Sequence, residues 1–432
     1  MSDAVRIAVA GLGTVGVGLL RLIEENGELL ARRCGREVVV TAVSARDRSR
    51  DRGIALDRFQ WFEDPEEMAR EADADIVVEL IGGADGAAKA VCEAAIASGR
   101  SVVTANKALI AHHGAALALA AEAKDVSIGY EAAVAGGIPI IKALREGLAG
   151  NRITGLYGIL NGTCNYILTT MRETGREFDD VLADAQALGY AEADPSFDVD
   201  GVDAAHKLAI LASVAFGCRV DFENVYTEGI RRVTALDIEL AETLGYRIKL
   251  LGIARRRGAG IEQRVHPCMV DLESPAAHVE DVFNAVVVEG DFVGPTVYEG
   301  RGAGAGPTAS AVIADIGDLA RGAKVPVFNL PAASLESLPT VPMDRHVSAY
   351  YIRLMVVDRP GVFAEVAAIL RDEAVSMEQI LQRTRSPEEA VPVVMTTHEV
   401  EEAAMMRAVQ RFAALDTVVE TPHVIRIESF EP

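Results

Sequence analysis

A short apolar strand, residues 6–10, leads straight into Gly11-Leu-Gly13-Thr-Val-Gly16. A helix-compatible segment follows to about residue 30, then a second strand at 38–43. Strand, glycine turn, helix and strand within about 30 residues is the context that gives a G-x-G-x-x-G its meaning. The glycines permit a tight turn and a close backbone approach, so a pyrophosphate can sit at the helix N-terminus. Few folds can use that arrangement, and it predicts a Rossmann-type parallel sheet that binds a dinucleotide. Further strands at 75–81 and 101–104, with a helix at 86–98 between them, extend the sheet.

The second strand ends in Ser44-Ala-Arg46-Asp-Arg48. An acid here serves the ribose 2′-hydroxyl of NAD, whereas arginine favours the 2′-phosphate of NADP. The two arginines lean toward NADP, and Asp47 keeps NAD open. Lys107 lies just past the strand ending at Thr104, on the side where parallel sheets form their ligand crevice. A second glycine-rich loop, Gly300-Arg-Gly-Ala-Gly304-Ala-Gly-Pro307, runs into a helix at 308–321 and could pass close to a bound cofactor. Cofactor contacts are therefore expected from Gly11, Gly13, Thr14, Val15, Gly16, Arg46, Thr104, Lys107, Gly189 and Gly304.

At 432 residues the chain is too long for one domain, and two to three are expected. A formal charge of −22 argues against non-specific binding to nucleic acid or anionic membranes. No apolar run approaches the roughly 18 residues of a membrane span. Residues 7–20 are glycine-punctuated and fit a strand–turn–helix better than a signal peptide. Cys34, Cys92, Cys164, Cys218 and Cys268 are scattered, without metal-type spacing, and read as free thiols of a cytoplasmic protein. Cys164 has no local His or Asn/Asp partner that would make it a nucleophile.

The chemistry concentrates in residues 189–207, GYAEADPSFDVDGVDAAHK, which hold five carboxylates and one lysine before a nearly all-apolar run to Phe216. Asp200 is placed as the N-cap of a helix in which Asp203 and Lys207 stand at i and i+4, on one face. A lysine among so many apolar residues is costly unless a carboxylate or ligand answers it. Asp203 and Lys207 are therefore the expected chemical centre.

Residues 131–139 read as a strand-like segment leaving the nucleotide domain. A helix to 148, a strand at 153–160, a loop at 161–165 and helices at 166–173 and 178–188 follow. Residues 220–300 mix strands and helices without a chemical signal, and His266 and His278 stand isolated. The proline-containing stretch 332–345 suits a linker. Beyond it the order is strand 348–356, helix 362–373, strands 377–383 and 391–397, helix 400–415 and strand 423–427. This βαββαβ unit has no catalytic grouping and suits regulation or assembly.

Taken together, Thr104-Ala-Asn-Lys107, Gly158-Ile-Leu-Asn-Gly-Thr-Cys-Asn165, the segment Gly189–Lys207 and Gly302-Ala-Gly-Ala-Gly-Pro-Thr-Ala-Ser310 resemble homoserine dehydrogenase, in the monofunctional form with a C-terminal ACT domain. The likeness spans nearly the whole chain. It starts at the dinucleotide segment, so the fused aspartokinase of bifunctional forms is not expected. The resemblance implies an α/β fold: a Rossmann-type nucleotide domain (1–133, completed by 303–330), an α+β substrate and dimerisation domain (134–302), a linker (331–346) and the ACT domain (347–432). It implies interconversion of L-homoserine and L-aspartate 4-semialdehyde with NADP or NAD. Lys207 would be the general acid/base, Asp203 and Glu192 would hold substrate with Asp198 nearby, and Lys107 would lie near substrate and nicotinamide. It also implies a monovalent cation such as Na+ at Glu131, Val134, Gly136 and Ile138, a threonine effector at the ACT domain, and a homodimer or homotetramer. The residues alone leave open another NAD(P) dehydrogenase of small amino or hydroxy acids, or a non-catalytic amino-acid sensor.

Overall fold

The first sheet is built from strands whose residues are apolar on both faces, as a sheet covered by helices on both sides requires. In the computed structural model, which describes residues 4–382 and 390–430, β1 (Val5–Ala10) leads into α1 (Thr14–Cys34) and β2 (Val38–Ser44). There follow β3 (Gln60–Phe62), α2 (Pro65–Glu71), β4 (Ile76–Glu79), α3 (Ala87–Ala97), β5 (Ser101–Thr104), α4 (Lys107–Ala123) and β6 (Ile128–Gly129). All the pairings are parallel, in the order β3-β2-β1-β4-β5-β6. That is the doubly wound dinucleotide-binding order, whose crevice opens beyond the carboxyl ends of the strands.

Residues 131–139 are not strand-like. Glu131–Ala133 form a 3₁₀ turn, and Ala135 and Gly136 take left-handed φ of 53° and 49°. The cause is Glu131, whose buried carboxylate accepts hydrogen bonds from the backbone N–H of Ile141 (2.9 Å) and Lys142 (2.8 Å) and folds the chain back on itself. A short α5 (Ile140–Lys142) and a π-helical turn, Ala143–Gly147, complete the passage.

The second sheet begins with β7 (Ile153–Ile159). Then come α6 (Gly162–Thr174), α7 (Phe178–Ala187), α8 (Ser196–Val199), α9 (Val202–Phe216), β8 (Tyr226–Thr227) and α10 (Ala235–Thr243). α6 starts at Gly162, four residues earlier than expected, because the Asn161 side chain caps it by accepting from Cys164 N at 2.8 Å. The stretch without chemical signals holds the two longest strands, β9 (Tyr246–Arg257) and β10 (Gly260–Asp271), which pair as a hairpin of twelve residues a side, followed by β11 (Phe283–Gly290) and β12 (Gly294–Arg301). α11 (Ala305–Ala320) returns to the first sheet and packs on α1.

The C-terminal unit has the expected order: β13 (Val347–Val357), α12 (Val362–Asp372), β14 (Met377–Leu381), β15 (Ala390–Thr397), a short β16 (Val400–Glu401), α13 (Glu402–Ala413) and β17 (His423–Glu428). Residue 383, the expected end of β14, lies outside the described residues. The unit does not hang from a loose tether. β17 adds in parallel to β10, so one sheet runs β12-β11-β7-β9-β10-β17-β13-β15-β14. The stretch expected as a linker is bound along the way, Glu336 bridging to Cys218 and Thr340 to Ile261. Among the described residues no helix is long and apolar enough to cross a membrane, and all five cysteines are buried and free.

Candidate active site

The helix carrying the expected centre starts differently from the sequence reading. Asp200 is not its N-cap; Gly201 is, at φ 86°. Asp200 instead closes α8 and pairs with Arg231. A residue with a Cβ resists the left-handed conformation that turns α8 into α9, and glycine does not. One turn further on, Asp203 and Lys207 share a face as expected. Lys207 Nζ donates to Asp203 Oδ2 and to the Leu160 carbonyl, both at 2.7 Å. Leu160 directly follows β7, so the lysine is held between a helix and the end of a strand.

Lys107 is no loose loop residue. It is the first residue of α4, behind Asn106, whose side chain caps the helix at Leu109 N (3.1 Å) and donates to the Gly83 carbonyl (2.7 Å). From there Lys107 Nζ reaches Asp203 Oδ1 at 2.6 Å and lies 5.3 Å from the centre of the Phe197 ring. Asp203 therefore takes one ammonium on each oxygen. Burial pushes its carboxyl up, but Lys207 and Lys107 outweigh burial and hold it well below the usual carboxylate range. Burial also drives the Lys207 ammonium below the ordinary lysine value, against the pull of Asp203.

Asn161 was missed as a site residue. Its Nδ2 donates to Asp198 Oδ1 (2.8 Å) and Asp203 Oδ2 (2.7 Å) while its Oδ1 caps α6, so one amide aligns two carboxylates. The available signal was its position, a polar side chain immediately after the apolar strand 153–160. Burial, then the Asp203 charge, raises the Asp198 carboxyl. Glu192 is exposed on the loop before α8, its carbonyl accepting from Gln186 Nε2. Asp194 is spent locally, accepting from Ser196 N at 3.1 Å. Cys164 is buried with its thiol pushed well up by that burial, which suits its exclusion as a nucleophile.

The glycine turn lies at the carboxyl end of β1. A Cβ on Gly11 would come within 2.5 Å of the Leu80 carbonyl oxygen, and one on Gly16 within 2.1 Å of the Gly11 oxygen. These two let the turn close, while Gly13 and Thr14 stay exposed at the N-terminus of α1. They line a cavity of about 530 Å³ with Arg50, Arg52, Ala305 and Gly306; Val15 is half-buried beside them. This open helix end fits a dinucleotide phosphate. Gly304, at φ 120°, precedes α11, whose first residues Ala305 and Gly306 line that cavity. Thr104 turns inward, its hydroxyl donating to buried Glu79 at 2.6 Å, and Gly189 is an exposed turn after α7.

Arg46 and Arg48 are exposed, Arg48 lying over Trp61 at 5.6 Å. The arginine that ties the loop to the glycine turn is Arg52, which donates to the Leu12 carbonyl (3.1 Å) and the Asp47 carbonyl (2.7 Å). The Asp47 carboxylate is occupied by Ser49 within its own loop.

Around Glu131, burial first and then Asp315 push the carboxyl up to about 7. Val134 and Ile138 are buried beside it, and a Cβ on Gly136 would meet the Gly302 carbonyl oxygen at 2.4 Å. The arrangement joins the 131–138 turn to the loop before α11.

Residues 11–131 match the family model "Homoserine dehydrogenase, NAD binding domain", residues 139–316 "Homoserine dehydrogenase", and residues 350–414 "ACT domain". A homoserine dehydrogenase of Pseudomonas aeruginosa is 47% identical over 98% of this chain and 99% of its own. The crystal structure of a homoserine dehydrogenase from Thiobacillus denitrificans is 46% identical, superposes with a TM-score of 0.93, and covers 99% of both chains. A hyperthermophilic archaeal homoserine dehydrogenase in complex with NADPH is 28% identical with a TM-score of 0.65, covering 74% of this chain and 99% of that one.

Proposed function

The chain belongs to the homoserine dehydrogenase family, and from that premise we propose how its residues divide the work. Its reaction is the interconversion of L-homoserine and L-aspartate 4-semialdehyde with a nicotinamide cofactor, on the route to threonine, methionine and isoleucine. The observation that carries the assignment of roles is the Asp203 carboxylate shared between Lys107 and Lys207.

A bound nicotinamide supplies the hydride that converts the aldehyde into the alcohol. As negative charge grows on the aldehyde oxygen, the Lys207 ammonium stabilises it and delivers the proton. Asp203 holds Lys207 in its charged form and orients it, and Lys107 adds a second positive charge near substrate and nicotinamide. Asp203 and Glu192, with Asp198 aligned by Asn161, hold the polar groups of the substrate. Gly11, Gly13, Thr14, Val15 and Gly16 cradle the pyrophosphate, with Thr104, Gly189 and Gly304 around the rest of the cofactor.

NADP is the preferred form in this reading. Asp47 is turned into its own loop, which leaves Arg46 and its neighbours to meet a 2′-phosphate. A monovalent cation fits Glu131 with the backbone of Val134, Gly136 and Ile138, where its charge would keep a carboxyl raised to about 7 ionised. The domain division follows the sequence reading, with threonine acting at the ACT unit and a cytoplasmic location. A second copy would cover the outer face of the second sheet, where Phe292, Val293 and Val297 are exposed near the β11–β12 edge. The decisive assay follows oxidation of NADPH and of NADH with aspartate semialdehyde, with and without threonine. Faster turnover with NADH would overturn the cofactor preference, and insensitivity to threonine would overturn the effector.

A further inference from the structure

One pair of side chains beside the site has no part in the chemistry above. His206, between Asp203 and Lys207 on α9, places Nε2 3.2 Å from His112 Nε2 on α4. α4 and α9 are thus joined at two points, Lys107–Asp203 and His112–His206. The spacing is five residues along α4 and three along α9, about 7.5 and 4.5 Å of helix rise. The two links cannot slide independently.

His206 is buried and His112 exposed. The His206 ring stacks on Phe222, centroids 4.0 Å apart, and packs 5.6 Å from Phe197, the ring that Lys107 faces from its other neighbour position. His112 meets Phe222 edge-on at 5.1 Å. Burial, then the neighbouring His112 ring, pushes the His206 imidazole down to about 4, so the ring is neutral near pH 7. A neutral imidazole has one N–H and one lone pair, so one ring of the pair donates and the other accepts. His206 Nδ1 has no partner among the described residues, so the contact to His112 is its hydrogen bond.

We propose that His112 and His206 are positioning residues whose mutual hydrogen bond sets α4 against α9 and so keeps the Lys107 ammonium on Asp203. Lys207 is fixed by its own helix and by Leu160 and does not need this help. Lys107 is a third exposed and comes from a different element, so its place depends on how the helices meet. The inference rests on the reading that Lys107 works in the site.

The test compares His206→Phe, which fills the aromatic slot without a hydrogen bond, with His206→Gln, which keeps a donor and an acceptor. His206→Phe is expected to lower kcat on the order of tenfold or more, as a misplaced catalytic group does, with the KM for NADPH unchanged. His206→Gln should recover most of that loss. His112→Leu, at an exposed position that tolerates substitution, should reproduce the loss and guards against a His206→Phe chain that does not fold. Parent-like kcat in His206→Phe or His112→Leu, or equal losses in the Phe and Gln variants, would overturn the proposal. Lys107→Met separates the two readings. If it is active, the role of Lys107 fails; if it is inactive while His206→Phe is active, only the pair's role fails.

Discussion

Lys107 and Asp203 are 96 residues apart in the chain, yet the lysine Nζ stands 2.6 Å from the carboxylate Oδ1, opposite the oxygen that takes Lys207. One buried carboxylate thus balances two ammoniums brought from different domains of the fold, and the site forms only when the two sheets are docked.

Losing the Lys207 amine should separate chemistry from binding. Lys207→Ala is expected to lower kcat by a factor on the order of 10² to 10⁴, the usual contribution of an acid/base group, while NADPH affinity stays near that of the parent. Steady-state rates with aspartate semialdehyde and a fluorescence titration of NADPH check both halves. Parent-like turnover would remove Lys207 from the role.

Asp203→Leu strands a buried ammonium. Breaking such a pair costs about 3–5 kcal/mol, so the melting temperature should fall along with activity. The double variant Asp203→Leu/Lys207→Met should regain much of the stability and none of the turnover. A double variant no more stable than the single one would contradict the pairing argument.

The pH profile follows from the sign of the shift at Lys207. Its ammonium is lowered by burial, and in the proposed mechanism aldehyde reduction uses the protonated form. The rate should therefore fall as pH rises through a value below the ordinary lysine value of about 10.4. The measurement is kcat against pH in the reducing direction at saturating NADPH. An alkaline limb no earlier than that of free lysine would show that the group titrating is not buried Lys207.

Asp237 on α10 binds Tyr351, Arg353 and His423 of the C-terminal unit. Burial opposes its charge, but His423 and Arg353 hold the carboxyl well below its usual range. A depressed carboxyl contributes stability that is present above its unfolded value of about 3.9 and lost as pH falls through the folded value. Asp237→Asn should lower the melting temperature at pH 7 and flatten its decline on the acid side. A decline as steep as the parent's would place the acid sensitivity elsewhere.

Much of the site was legible because its signals are local. Asp203 and Lys207 lie four residues apart on one helix, and the glycine turn sits within one strand–helix unit. The rule that singled out Lys207, an amine in apolar sequence, would also select Lys249 on β9. Lys249 is more buried, with its ammonium lowered to about 8 by that burial. Yet its Nζ serves Asn165 (3.1 Å) and the Val279 carbonyl, in a structural network with Glu280. Burial alone did not separate the two lysines; place in the fold did.

From its sequence alone the chain determined its nucleotide fold, its βαββαβ terminus and the Asp203–Lys207 pair, because backbone periodicity and i,i+4 geometry act over a few residues. Only the tertiary structure decided which groups answer one another across the fold. It brought Lys107 to Asp203, put Asn161 between two carboxylates, set His112 against His206, and fused β17 to β10 in one sheet. Those contacts arise from the docking of elements far apart in the chain, and no spacing within a single segment encodes them.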